Sequence, residues 1–212
     1  MVENKPPRRR SGLLQERSRR TRQRLVRAAL DIWAERGFET GIEQTTVDEI
    51  VQAAGVTKGT FYFHFSRKEE ILLEMGWDTA ALVNEECRRS IKAGRSIDDS
   101  LRRVTGVLAR HVRAAPPVAV GRSVAEFRRT PLDELIATGR TGFGQGLEAL
   151  FTRAREVGEL PGDIEASEMS QMLQALMMDS ILDWAAGHSE LGAALRQRTA
   201  LLLAGLREST AI

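Results

Sequence analysis

Apolar residues recur at three- and four-residue spacing along almost the whole chain. No run of four to eight residues alternates cleanly between apolar and polar, so the pattern predicts helices and gives strands no support. The first helix is expected over about Arg17–Arg36, with Leu25, Ala28, Ala29, Ile32 and Trp33 on one face and Gly37 ending it. Thr46 with Glu49 three residues on is a capping box, and it opens a short helix that Gly55 breaks. Another short helix, Lys58 to His64, points Phe61 and Phe65 at the core. Ser66 with Glu69 reads as a second capping box, opening a helix to about Ile91. Ser96 caps a helix with Leu101, Val104, Leu108, His111 and Val112 on one face, and Pro116-Pro117 stops it. A helix over about Val118–Arg128 follows. Thr130-Pro131 then starts a long helix to Val157, Pro being tolerated at the first helical position. The last two helices are expected over about Glu165–Ala186 and Glu190–Glu208, which makes about nine in an all-α chain.

Composition narrows the class. The chain has 212 residues, 42% hydrophobic and 28% charged, which is ordinary for a globular protein. The single cysteine, Cys87, excludes an internal disulfide and a four-cysteine zinc site. No apolar run is long enough for a transmembrane helix, and the basic N-terminus lacks the apolar core of a secretory signal. A cytoplasmic protein without membrane contact is the expectation. The net charge of +2 hides an asymmetry. Residues 1–27 hold ten Lys/Arg against Glu3 and Glu16, a balance of +8, and the remainder carries −6. Such a basic end fits a surface for a polyanion or a solvated tail. Residues 1–16, with Pro6-Pro7 and Arg8-Arg9-Arg10, read as a flexible basic arm, which either enters a minor groove or attracts phosphate without reading it.

The three helices of residues 17–65 have the proportions of a helix-turn-helix unit, with the tight turn at Gly55 after small Ala53 and Ala54. In such a unit the second helix of the pair enters the major groove N-terminus first, here with Thr57, Lys58, Gly59 and Thr60. Lys58 reaches a guanine edge or a phosphate, Gly59 clears a side chain from the DNA backbone's approach, and Thr60 offers a hydroxyl and a methyl. Tyr62 and His64 can donate to phosphate oxygens. The stretch from Thr45 to Leu72, including Ala53-Ala54-Gly55-Val56-Thr57-Lys58-Gly59-Thr60-Phe61-Tyr62-Phe63-His64-Phe65, closely resembles the DNA-binding signature of the TetR (tetracycline repressor) family. The resemblance covers about residues 17–72. It implies a homodimer with two reading heads on double-stranded operator DNA and a helical ligand-binding and dimerisation domain over residues 73–212. It places DNA contacts on Thr57, Lys58, Gly59, Thr60, Tyr62 and His64, with Thr46 and Lys68 as phosphate contacts at helix starts. One departure is the loop Glu39–Gln44, a few residues longer than usual in the family.

The rest of the chain shows no nucleophile–base signature, Walker loop or HExxH motif, so neither an enzyme nor a metal or cofactor is expected. Gly142, Gly144 and Gly146 lack the spacing of a dinucleotide fingerprint and point instead to a bend or a close helix contact. By family analogy the effector pocket lies among the helices of residues 97–185, with Leu108, His111, Val124, Phe127, Phe143, Leu147, Met172, Leu176 and Met177 as candidate lining. Core packing is the alternative for each. His111 either orients a ligand or is a structural histidine. The methionines suit an adaptable apolar pocket, so a small, largely apolar effector is expected. The dimer seam implied by the resemblance is the last two helices, through Leu173, Ile181, Trp184, Leu195, Leu202 and Leu206. The expected function is a ligand-responsive repressor released from a palindromic operator. The alternatives are a constitutive or architectural DNA-binding protein whose body only dimerises and, further off, an enzyme in the helical body.

Overall fold

The computed structural model describes residues 8–138 and 142–208. These form eleven α-helices, and no strand occurs among the described residues. The helices are α1 (Arg8–Arg36), α2 (Gly41–Gln44), α3 (Val47–Ala54), α4 (Lys58–His64), α5 (Ile71–Lys92), α6 (Ile97–Arg113), α7 (Pro117–Arg129), α8 (Leu132–Ala137), α9 (Gly144–Glu156), α10 (Ala166–Ala185) and α11 (Leu191–Glu208). Two compact units follow each other along the chain, Met1–Ile71 and Leu72–Ile212.

In the first unit α1 packs on α3, and α3 on α4. Leu25, Ala29, Trp33, Ile50, Phe61, Phe65 and Ile71 are buried. Thr46 and Glu49 form the full capping box at the start of α3. Gly55 ends α3 in the left-handed region at φ 63°, a conformation that costs a side-chain-bearing residue steric strain. The Val56 N–H then donates to the Val51 carbonyl and closes the turn. Thr57 caps α4 by accepting from the Thr60 N–H.

Three departures from the expected elements have local causes. α1 begins at Arg8, so the second half of the run read as a flexible arm is helix. Arginine is a good helix former, and the chain after Pro7 carries no breaker but Gly12. Residues 1–7 lie outside the described residues. The long Glu39–Gln44 loop winds into the single turn α2, because the Lys68 ammonium donates to the Glu43 carbonyl (3.0 Å) and the Thr45 carbonyl (2.6 Å) at its C-terminal end. The Ser66–Glu69 capping box is absent. The chain makes a 3-10 turn over Lys68–Glu70, and the Ser66 N–H donates to the Glu70 carboxylate instead.

In the second unit α10 packs against α7, α9 and α11, and α6 against α9 and α11. Their core includes Leu101, Val104, Leu108, Leu147, Phe151, Met169, Leu173, Leu191 and Leu195. The helix expected from Thr130 to Val157 is two helices, α8 and α9, parted in the glycine-rich stretch before Gly144. Gly146 supplies the close contact. Its N–H donates to the Asn84 Oδ1 (2.9 Å), and a Cβ there would collide with Asn84 and crowd Cys87. With α2, this split accounts for eleven helices where the pattern gave nine.

Candidate DNA interface and effector cavity

α4 exposes its outer side and buries Phe61 beneath it. Lys58, Gly59 and Tyr62 are exposed, and Thr60 is half-buried. The Thr57 and Thr60 hydroxyls lie 2.9 Å apart, so the first turn presents two linked hydroxyls. The Lys58 ammonium sits 3.0 Å from the Asp48 Oδ2 of α3, and this carboxylate raises the lysine's pKa. Gly59 meets no protein crowding. A Cβ built there has Thr57 Oγ1, at 3.9 Å, as its nearest neighbour.

At the far end of α4 the Arg22 guanidinium donates to the His64 carbonyl (2.7 Å) and lies 4.1 Å over the Phe65 ring. Partial burial, reinforced by the Arg22 cation, lowers the His64 pKa, so this imidazole meets a partner neutral at pH 7. Phe63, passed over in the sequence, is 78% exposed on the same helix, the most exposed large apolar side chain among the described residues. An aromatic outside the 61/65 core spacing was the available signal.

Thr46 and Lys68 do structural work. The Thr46 N–H and hydroxyl both donate to Glu49 Oε2, and Glu49 also takes the Arg36 guanidinium of α1 at 2.5 Å. Arg36 first, then the Thr46 donors, holds the Glu49 carboxyl down at about 2. Lys68 spends its charge on the two carbonyls that end α2.

The second unit contains a cavity of about 620 Å³, within the range of small-molecule sites. α5 contributes Met75, Trp77 and Thr79 to its wall, α6 His111, α7 Val124 and Phe127, and α10 Gln174, Met178 and Ile181, with Phe143 beside Gly142. Trp77 and Phe127 meet edge to face, 5.0 Å between centroids. His111, Val124, Phe127 and Phe143 lie together on this wall. Leu108, Leu147 and Met177 are instead core residues with at most 3% exposure; Met172 points outward at 47% exposure, and Leu176 lies off the wall. The α5 wall precedes residue 97, where the family resemblance puts the start of the pocket. The Cys87 thiol, buried and pushed up to about 12, is unsuited to nucleophilic chemistry. Among the described residues no three His, Cys, Asp or Glu are grouped to hold a metal, and no helix is long and apolar enough to cross a membrane.

Four of the six expected dimer residues are core within a single chain. Leu173, Leu195, Leu206 and Ile181 have at most 4% exposure within a single chain, so they have no surface left for a second copy. Trp184 and Leu202 are half-buried against the same core. The apolar surface of α10 and α11 is instead Met172 and Leu201, the latter 65% exposed, with Ala175, Ala200 and Ala204 also exposed.

A helix-turn-helix unit followed by a helical body with an apolar cavity defines a one-component transcriptional regulator. The profile of bacterial regulatory proteins of the tetR family matches residues 25–75. FadR of Thermus thermophilus, a TetR-family transcriptional repressor solved in complex with lauroyl-CoA, is 31% identical; the match covers 87% of this chain and 94% of that one, with a TM-score of 0.66. FadR of Bacillus subtilis, solved with stearoyl-CoA, shares the fold at 22% identity and a TM-score of 0.65, over 86% of this chain and 98% of that one. The regulator TcmR of Streptomyces glaucescens is 44% identical over 62 residues, 29% of this chain and 26% of that protein's length. This chain belongs to the TetR family of transcriptional regulators.

Proposed function

We propose that the chain is a ligand-responsive repressor. Two copies hold a palindromic operator through α4, and a small, largely apolar molecule in the cavity releases them. The observation that carries this reading is the pairing of an α4 that exposes Thr57, Lys58 and Tyr62 with an apolar cavity in the following unit of the same chain. Thr57, Lys58, Gly59, Thr60 and Tyr62 take the groove and its phosphates, His64 contacts phosphate as a neutral donor, and Thr46 and Lys68 act from behind by setting α2 and α3. Phe63 joins them as an apolar contact. The 31% identical relative holds lauroyl-CoA, which supports a ligand with an acyl-like chain. Two-fold operators require a two-fold protein, and Met172 and Leu201 are the seam we assign. The reading is of a DNA-binding regulator, not an enzyme, working in the cytoplasm beside the chromosome.

A ligand shifts such an equilibrium only by its differential affinity for the two states. The test is a titration of the protein on a fluorescent duplex enriched from a randomised library, with and without twelve-carbon apolar ligands. Loss of DNA affinity on adding ligand is expected. DNA binding unaffected by any ligand that calorimetry shows to be bound would favour the constitutive alternative.

A further inference from the structure

α7 is seated on α5 at two matched points. Ser123 and Phe127 stand one turn apart on α7, and they meet Leu72 and Gly76, one turn apart on α5. The buried Ser123 hydroxyl donates to the Leu72 carbonyl at 2.8 Å. One turn on, the Phe127 ring lies against the bare backbone of Gly76. A Cβ at residue 76 would stand on that ring, overlapping Cε2 and lying 2.9 Å from Cδ2 and 3.0 Å from Cζ. No other described glycine brings a partner atom so near. The same ring meets Trp77 edge to face. Glycine inside a helix weakens it relative to alanine, because the bare backbone loses more freedom on folding. Gly76 lies within α5 and its φ is not positive, so the local conformation gives no reason for a glycine. The Phe127 ring does.

Gly76, Trp77, Ser123 and Phe127 all line the cavity. How closely the Phe127 ring sits on α5 therefore sets how much room the cavity keeps. A side chain at residue 76 would have to lift the ring off the helix, since an overlap of that depth is not absorbed by a close-packed wall. The helix itself is poorly placed to yield, because the Ser123–Leu72 bond pins α7 one turn away and α7 is also packed against α10. Trp77 closes one flank of the ring, and the cavity is the space that remains. We propose that Phe127 is the residue that limits the size of the effector and that Gly76 is a positioning residue that seats its ring. The pair thereby admits a larger apolar molecule than the cavity could take with any side chain at residue 76. This inference rests on the reading of the cavity as the effector site and adds to it the residues that choose among apolar ligands by size.

The test uses the full-length protein and straight-chain 1-alkanols from octanol to hexadecanol, each displacing the fluorescent dye N-phenyl-1-naphthylamine. Where room remains, each added methylene tightens binding by about fourfold. The quantity read is the advantage of hexadecanol over octanol. In Gly76→Ala it should fall at least tenfold below the wild-type value, with octanol affinity little changed. Phe127→Ala should raise it above the wild-type value, and Gly76→Ala combined with Phe127→Ala should recover it, because the alanine methyl then meets no ring. A merely structural defect would weaken both alcohols together and would not be rescued by removing a second side chain. Melting curves check that each variant folds, and Phe127→Ala carries the test alone where Gly76→Ala does not. An unchanged advantage in Phe127→Ala, or a Gly76→Ala loss that persists in the double variant, would overturn the proposal. If no alcohol displaced the dye from the wild-type protein, the effector reading would fall with it, so the two failures are distinct.

Discussion

Gly59 is the position where the fold and the proposed function make opposite demands. A glycine in a helix costs about 0.5–1 kcal/mol relative to alanine. The chain carries that cost in the first turn of α4, a seven-residue helix. Nothing inside the protein asks for it: a Cβ at residue 59 has only Thr57 Oγ1 within 4 Å, at an ordinary contact distance of 3.9 Å. Gly59→Ala should therefore stabilise the first unit by about 0.5–1 kcal/mol. If that 71-residue unit melts on its own, this is a rise of roughly 2–8 °C. On DNA the same methyl occupies the space between α4 and the duplex. Loss of one good contact's worth of approach is about 1–3 kcal/mol per head, roughly 5- to 150-fold. The assays are a thermal melt and a fluorescence-anisotropy titration of the selected duplex on the same preparation. A higher melting temperature with weaker DNA binding is expected. A variant that melts higher and binds DNA normally would refute the placement of Gly59 against DNA, and one that melts lower would refute the open surroundings read from the structure.

Three other perturbations probe Lys58, the α3 cap and the α10–α11 surface. Asp48→Asn should free the Lys58 ammonium, tightening binding to cognate and non-cognate duplexes alike and steepening the non-cognate salt dependence by about 0.9 log units per head; the effect should vanish in a Lys58→Met background, and its persistence there would show that Asp48 acts elsewhere. The Glu49 carboxyl is depressed to about 2 in the folded chain, so its contribution is complete above the ordinary carboxylate pKa near 4.5 and is lost as pH falls toward 2. The melting-temperature gap between wild type and Glu49→Gln should accordingly be widest at neutral pH and close between about pH 4.5 and 2; a gap constant with pH would exclude the Arg36–Glu49–Thr46 linkage. Leu201→Asp together with Met172→Asp should give a folded monomer by sedimentation with weakened duplex binding, whereas Leu206→Asp, a buried core change, should unfold the protomer; a folded Leu206→Asp monomer would return the seam to the residues first read from the sequence.

The helix pattern was legible because capping and turn signals are local. Thr46–Glu49, Gly55, Thr57 and Ser96 work within three or four residues, and each sits where the sequence places it. Ser66–Glu69 carried the same signature and did not form, because the Glu70 carboxylate reached the Ser66 N–H instead. α2 was hidden because it depends on Lys68, some 25 residues away. The cavity and the α10–α11 surface suffered for another reason. Apolar periodicity marks a face as buried but does not say whether core, ligand or partner covers it, so the core residues Leu147 and Leu206 read as pocket and seam, just as Phe127 read as pocket. Distinguishing them requires the phase of one helix against its neighbours, which is a tertiary property.

If α4 reads DNA from a two-fold assembly, selection of duplexes from a randomised library by the full-length protein should return symmetric sites. Enrichment is expected of an inverted repeat whose half-sites are centred about one helical turn, 34–36 Å, or a multiple of it apart. Major-groove methylation interference in each half-site and loss of enrichment in Lys58→Ala are expected with it. Enrichment of no symmetric site, or recovery of the same site by Lys58→Ala with unchanged affinity, would contradict it.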